Sequence, residues 1–475
     1  MIEKEKVTKS LEKEVRIVDT NKNISDGQIK CPKCGATEIT QNKKTSKLRC
    51  HFCRHEFDEE KFKKAENDLQ NLTGRVIGKG ASNIKSDTND MVTLKCDSCA
   101  AEVVIDTNEA AQARCHWCRN TLSINKQIEN GAIPDMLLPF KIQKEEAQKE
   151  IEKFVSERSF FAYPKFKEEF NLENVMGVYL PYMVVDLNLS AALSGNGEIL
   201  IRKYRVRTRN SSVTYYDADA YKISRKFDLT VENLTIISNS AKINFSDSNK
   251  TNNIINAIKP FDTEESVQWN PNYLKGYASE KRDTDISQLE KTMTDKAKDI
   301  TRFKANDTIK KYDRGVVWNI EDVNIKGEQW KAAYLPIWLY SYQQVKSDGK
   351  KVLHYVAANA RTNKVMGSVP VHQPRLLFVS FIIEVIGFIL MILTLGTIEE
   401  FALIFLIGGP VFYGAIYSKY RNKDARYEHE TKTKSTMENL VSSDQLLERR
   451  KRMRNPNIRG MNNTKVSNSQ TKIKW

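Results

Sequence analysis

At 475 residues and 40% hydrophobic content, the chain has room for about three domains, which excludes a single small module. A net charge of +15 and an isoelectric point near 9.2 point to a polyanionic neighbour, either nucleic acid or an anionic membrane surface, and charge alone does not choose between them. The apolar residues are unevenly spread, and many of them fall in one late segment.

Residues 1–27 form a charged segment rich in Lys and Glu, without the apolar core of a secretory signal. The eight cysteines then fall into two copies of one pattern. Cys31-Pro-Lys-Cys34 is followed after fifteen residues by Cys50-His-Phe-Cys53, and Cys96-Asp-Ser-Cys99 after fifteen residues by Cys115-His-Trp-Cys118. Paired CxxC units at this spacing predict zinc sites, because each turn presents two thiolates and two turns complete a tetrahedron of sulfur. We expect two zinc ions in two ribbons, spanning 28–58 and 91–124, with Cys31, Cys34, Cys50 and Cys53 on one ion and Cys96, Cys99, Cys115 and Cys118 on the other. Closed four-sulfur sites are structural, and zinc binding supplies the folding energy that so small a ribbon lacks. Four disulfides in a secreted protein are the alternative; the missing signal and the repeat of the gap to the residue argue against them. With four sulfurs available per ion, His51, His55 and His116 are expected to face solvent or to lie just behind the ligands.

Residues 59–90 read as a helix, Asp58 to Asn71, and a flexible linker, Thr73 to Asp90. The RVIGKGASNIK stretch lacks phosphate-loop spacing. No GxSxG or HExxH occurs either, so the ordinary signatures of an ATPase, hydrolase or metalloprotease are absent. Residues 135–375 read as an α+β domain with two related halves. In the first, LLPFKI is a strand, Lys144 to Val155 is helical by its spacing, and GVYLPYMVV leads into strand, a turn at Ser194-Gly-Asn-Gly and further alternating strand. In the second, a helix over roughly Asp285 to Lys304 precedes AAYLPIWLY, which again leads to alternating strand and a Gly turn. Tyr179, Pro181, Tyr334, Pro336 and Trp338 suit either a groove or core packing at a strand edge, and the residue types favour core.

Leu376 to Leu395 has a single charge, Glu384, and is long enough to cross a bilayer as a helix. Phe401 to Tyr417 carries none, so 376–418 reads as a two-helix transmembrane hairpin. Arg375 before it, and Lys419, Arg421, Lys423 and Arg426 after it, place both termini in the cytoplasm of a cell-membrane protein with two spans. Glu384 is expected to meet a partner, or Ser and backbone groups within the hairpin. Pro410 suggests a kink. The tail, 419–475, is basic. Met437 to Met453 reads as a short helix leading to Arg449-Arg450-Lys451-Arg452, which would attract anionic membrane lipids.

The chain resembles a bacterial family of membrane-anchored proteins with TFIIB-type zinc ribbons. The residues that carry the likeness are the CxxC pairs, LPFKI and its following helix, GVYLPYMVVD, Trp269 to Asp285, AAYLPIWLYSY and NKVMGSVPV, spanning about Cys31 to Tyr417. Members are often labelled primosomal or helicase-like, although this chain has no motor motif. Some are encoded beside phage-shock protein A and a flotillin-like (SPFH) protein. The resemblance implies a membrane docking partner in envelope stress.

The expected fold class is therefore multidomain: two small β zinc ribbons, a duplicated α+β middle domain and a C-terminal two-helix transmembrane hairpin. The expected function is that of a non-enzymatic, membrane-anchored zinc-ribbon scaffold that recruits partner proteins. The alternative is a membrane-tethered nucleic-acid-binding protein, with Lys33, Lys43, Lys44, Lys47, Arg49 and Arg54 around the first site as its contacts. An enzyme would have to draw on acids such as Asp186, Asp217 and Asp219.

Overall fold

The computed structural model describes residues 15–18, 31–36, 39–42, 45, 47–57, 68–82, 91–95, 102–106, 115–117, 127–128, 134–208, 211–239, 258–269, 273–274, 277–345, 349, 351–394, 402–421 and 433–453. The first third holds β1 (Val15–Val18), β2 (Ile39–Gln41), β3 (Leu48–Cys50), β4 (Glu56–Phe57), β5 (Gly74–Gly78), α1 (Lys79–Ser82), β6 (Met91–Lys95), β7 (Glu102–Asp106) and β8 (Gln127–Ile128). The middle holds β9 (Met136–Leu137), α2 (Lys144–Ser156), α3 (Pro164–Glu169), β10 (Met176–Thr208), β11 (Ser211–Ile237), β12 (Val267–Gln268), β13 (Ala278–Glu280), α4 (Ile286–Asp307), β14 (Val316–Val345), β15 (Lys351–Asn359) and β16 (Val365–Gly367). Then come α5 (Gln373–Thr394), a 3-10 turn (Ala402–Ile407), α6 (Gly408–Arg421) and β17 (Ser435–Met453). The result is a multidomain α/β protein. β2, β3 and β4 form a small sheet of their own, and the other fourteen strands form one large sheet.

The two YLP segments lie side by side at the centre of that sheet. β10 and β14 pair antiparallel with Tyr179 opposite Pro336, Leu180 opposite Leu335 and Pro181 opposite Tyr334. This register places a local two-fold relation between the two leucines, and the surroundings obey it. β9 runs parallel to β14 at Ala333 and Tyr334, while β13 runs parallel to β10 at Val178 and Tyr179. The Pro181 carbonyl accepts the N–H of Ser238 at 3.0 Å, and the Pro336 carbonyl that of Ala360 at 3.2 Å. Each donor sits just past the end of the strand that returns from its own YLP strand. α2 packs on β15 and β16, and α4 packs on β11, so each helix covers the strand of the opposite half. The two halves interlock, and neither short strand has its partner within its own half.

Burial follows from this arrangement. Ala147, Ile151, Phe154 and Val155 line one face of α2, the spacing of an amphipathic helix. α4 starts at a capping box in which Asp285 and Gln288 satisfy one another's backbone N–H groups, and its Leu289, Met293 and Ile300 meet Leu187, Leu189 and Phe227 in one cluster. Residues 327–342 of β14 are all buried, as a strand covered on both faces must be. Tyr179, Tyr334 and Trp338 lie in an aromatic core with Phe140, Tyr277 and Trp269. They are core residues and form no groove.

Several expectations need correcting. Ser194 to Gly197 makes no turn: β10 continues through it for 33 residues, with a bulge between Ser194 and Gly195. Gly195 is needed because a Cβ there would lie 2.2 Å from the Val317 carbonyl. The start of the supposed linker is ordered, since Gly74 to Gly78 is β5, parallel to both β1 and β14. Phe401 to Tyr417 does not form a second span. It gives a 3-10 turn and a helix of 14 residues, about 21 Å long against roughly 30 Å of hydrocarbon. Gly408 and Gly409 weaken the helix, and Pro410 sits in its first turn, where a missing N–H is tolerated and no kink results. Among the described residues one helix, α5, is long and apolar enough to cross a membrane, so two spans with both termini on one side are not supported. Finally, Met437 to Met453 is strand, not helix. β17 pairs with the edge of β11 from Val231 to Tyr215, and pairing along that otherwise open edge overrides its helix-forming composition.

Candidate metal centre

Ribbon 1 brings its four predicted ligands together. The Cys31, Cys34, Cys50 and Cys53 sulfurs all lie within 4.8 Å of one another. Cys31 and Cys53 approach to 3.5 Å, as do Cys34 and Cys50. A zinc ion with bonds of about 2.3 Å to four tetrahedral sulfurs requires them about 3.8 Å apart, so the thiols fit the ion. Both knuckles have the same backbone geometry. Gly35 N–H donates to the Cys31 carbonyl and Arg54 N–H to the Cys50 carbonyl, with φ of 73° at Gly35 and 58° at Arg54. Glycine takes this left-handed conformation freely; Arg54 adopts it under the demand of the knuckle.

The thiol electrostatics also suit a cation. Burial works to raise the Cys31 thiol, but the Lys33 and Cys34 N–H groups, with the Cys53 and Cys34 sulfurs, outweigh it and bring it to about 7. The Ala36 N–H lowers Cys34, yet burial and the three neighbouring sulfurs push it up to about 12. Four sulfurs this close cannot all ionise without a positive charge among them. Apart from its cysteines the ribbon buries only Ile39, Leu48 and Gln41, too little to fold by hydrophobic burial alone.

Of the second predicted set, Cys115 is described and buried; Cys96, Cys99 and Cys118 lie outside the described residues. The two residues after Cys115 show how this ribbon is held. β7 joins the large sheet through β13, with Val104 opposite Ser279 and Val103 opposite Glu280. Trp117 is buried against Tyr355, ring centroids 5.3 Å apart and nearly perpendicular. Its indole N–H donates to Glu280 Oε1, the oxygen that also lies 3.2 Å from His116 Nε2. Ser341 Oγ donates to the His116 carbonyl at 2.5 Å. His116 is thus buried and faces no solvent, which corrects one expectation. In ribbon 1, His51 is exposed and bonded to Thr40, and His55 stacks on Phe57.

The corresponding aromatic of ribbon 1 is in the opposite situation. Phe52 occupies the place of Trp117 in its knuckle and is 73% exposed, against 4% for Trp117. Glu280, Tyr355 and Ser341 were not singled out from the sequence. Glu280 sits in an ordinary three-residue strand, and only the tertiary fold sets it against the knuckle.

The candidate acids do not converge. Asp186 pairs with Lys331 at 2.8 Å and accepts the Asn233 N–H at 2.7 Å. Asp217 pairs with Arg202 at 2.7 Å, and Asp219 with Arg449 at 3.1 Å. Each completes a separate ion pair between strands.

α5 buries only Leu376, Ser380 and Gly387, leaving Phe378, Phe381, Ile386, Phe388 and Leu393 among its exposed apolar residues. α6 packs beside it at small residues: a Cβ on Gly409 would lie 2.5 Å from the Ser380 carbonyl, and one on Gly387 2.3 Å from that of Phe405. Glu384 Oε2 accepts the Gly409 N–H at 2.9 Å, so its partner is backbone. Tyr420 ties this pair to the globular part, its hydroxyl accepting from Phe161 N–H at 3.0 Å and its carbonyl from Val369 N–H at 3.1 Å.

No family model matches the chain, no curated protein matches its sequence, and no solved structure matches its fold.

Proposed function

We propose that the protein is a non-enzymatic scaffold, held in the cell membrane by α5, whose first zinc ribbon recruits a partner protein. The observation that carries this is the contrast between two copies of one knuckle. In ribbon 2 the aromatic is docked into a carboxylate and a tyrosine ring of the same chain. In ribbon 1 the matching Phe52 stands in solvent, an aromatic anchor of the kind that interfaces bury. The intramolecular dock suggests what the partner offers: an acidic side chain beside an aromatic ring. The exposed apolar length of α5 supports the anchor. A second zinc ion on Cys96, Cys99, Cys115 and Cys118 belongs to this proposal, as does a role in envelope stress. The resemblance makes flotillin-like SPFH proteins and phage-shock protein A the first candidate partners.

The test is affinity purification of tagged protein from detergent-solubilised membranes, with nuclease present. The wild type is expected to carry a stoichiometric protein partner. Phe52→Ala and Cys34→Ser are each expected to lose it, and both to remain in the membrane fraction. Partner retention by both variants would sink the proposal. Removing zinc with a chelator should unfold ribbon 1 and abolish capture in the same way.

A further inference from the structure

β10, β11 and β17 run on beyond the rest of the sheet. β14 starts at Val316, opposite Gly197 of β10, so from there to the hairpin at Thr208 and Ser211 the sheet is only these three strands. Its outer strands are about 10 Å apart, and Tyr204 lies about 90 Å of strand path from Gly177. Gly177 is at the other end, where Trp338 pairs with it and with β15. That is also the end that leads through β16 to α5, so the bilayer holding α5 belongs to the end remote from this tip.

The tip gathers charge of one sign. Residues 199–208 of β10, 211–219 of β11 and 446–453 of β17 hold eight cationic and three acidic residues. Three of the cations are answered: Arg202 pairs with Asp217 at 2.7 Å, Arg449 with Asp219 at 3.1 Å, and Arg450 with Glu198 at 3.8 Å. Lys203 and Arg205 are exposed and make no ion pair among the described residues. They stand two apart on one face, at the ~6.6 Å spacing of alternate strand residues. Such a row suits a polymer of regularly spaced negative charges.

Aromatic rings lie among these charges. Tyr204 and Tyr215 are directly opposite each other, stacked at 5.9 Å with planes 17° apart. The Arg202 guanidinium lies 5.0 Å from the Tyr204 ring. Ile201 and Val206 beside them are 43% and 41% exposed. Cations interleaved with half-exposed rings are what a single nucleic-acid strand uses, phosphates on the charges and bases on the ring faces.

We propose that this three-stranded tip binds single-stranded nucleic acid. The inference is independent of the scaffold reading. It also moves the expected nucleic-acid contact from ribbon 1 to a part of the chain the sequence did not single out for it.

The test uses the full-length protein in detergent and a fluorescent single-stranded 30-mer, followed by anisotropy at several salt concentrations. Binding is expected to weaken with salt, at about 0.7 log units per phosphate contact for each tenfold rise. Lys203→Gln with Arg205→Gln, which breaks no ion pair, is expected to weaken binding at least fivefold and to lower the slope by about 1.4. Tyr204→Ala with Tyr215→Ala is expected to cost about tenfold in affinity and leave the slope unchanged. The proposal is overturned by no binding, or by binding that neither pair alters. It is equally overturned if Lys33→Gln with Arg49→Gln in ribbon 1 abolishes binding while the tip variants do not. Binding of anionic phosphatidylglycerol vesicles, but not of the 30-mer, by the tip would overturn it in favour of a membrane contact.

Discussion

Replacing Glu280 by alanine tests how ribbon 2 is held. The carboxylate is 2% exposed and receives the Trp117 indole N–H and His116 Nε2 on one oxygen. Glu280→Ala leaves both donors buried without that acceptor, at about 1–3 kcal/mol each. The deleted carboxylate leaves space for a water that recovers part of this loss. A net cost of about 2–4 kcal/mol follows, which multiplies the undocked population of the knuckle about 30-fold to 900-fold. Glu280→Gln keeps an acceptor oxygen and should lose about half as much. Hydrogen exchange read by mass spectrometry on peptides covering 115–117 and 278–280 measures this opening directly. The Tyr355 region should follow, because Trp117 stacks on it. Exchange within threefold of wild type in Glu280→Ala would refute the docking argument, since no compensating acceptor could then be missing.

Two further outcomes concern β17 and the apolar helix. Burial works to raise the Asp444 carboxyl, but hydrogen bonds from Arg225, Lys311 and Tyr312 outweigh it and hold it at about 2. That lies below its ordinary value, so its contribution of about 2 kcal/mol is complete above about pH 5 and is lost as the pH falls from about 4 to 2. Asp444→Asn should therefore expose Ser435–Met453 to protease at least tenfold faster at pH 7, and flatten the acid dependence of that cleavage. Gly409→Leu should separate α6 from α5, because its Cβ would meet the Ser380 carbonyl at 2.5 Å. Disulfide trapping between cysteines placed at Ser380 and Phe412 should fall in that variant, while extraction of the protein from membranes should still require detergent.

The sequence by itself determined the metal chemistry of ribbon 1, because ligand type and spacing are local: two CxxC turns and a hairpin-length gap suffice to converge four sulfurs. It also determined α5, since twenty apolar residues in a row leave a helix no other solvent than lipid or core. The helices α2 and α4 were legible from apolar period and caps for the same reason. What lay beyond local pattern was decided by tertiary pairing. The likeness of the two YLP segments was visible, but only the sheet sets Leu180 against Leu335 and exchanges the short strands between halves. The glycines of Ser194 to Gly197 suggested a turn; their role is the close approach of β14. Met437 to Met453 had helical composition, and the open edge of β11 made it a strand. Phe52 and Trp117 occupy the same place in matching knuckles, and nothing in either motif distinguishes them. Only the fold, by carrying Glu280 and Tyr355 to one knuckle and leaving the other in solvent, makes one a structural joint and the other a free surface.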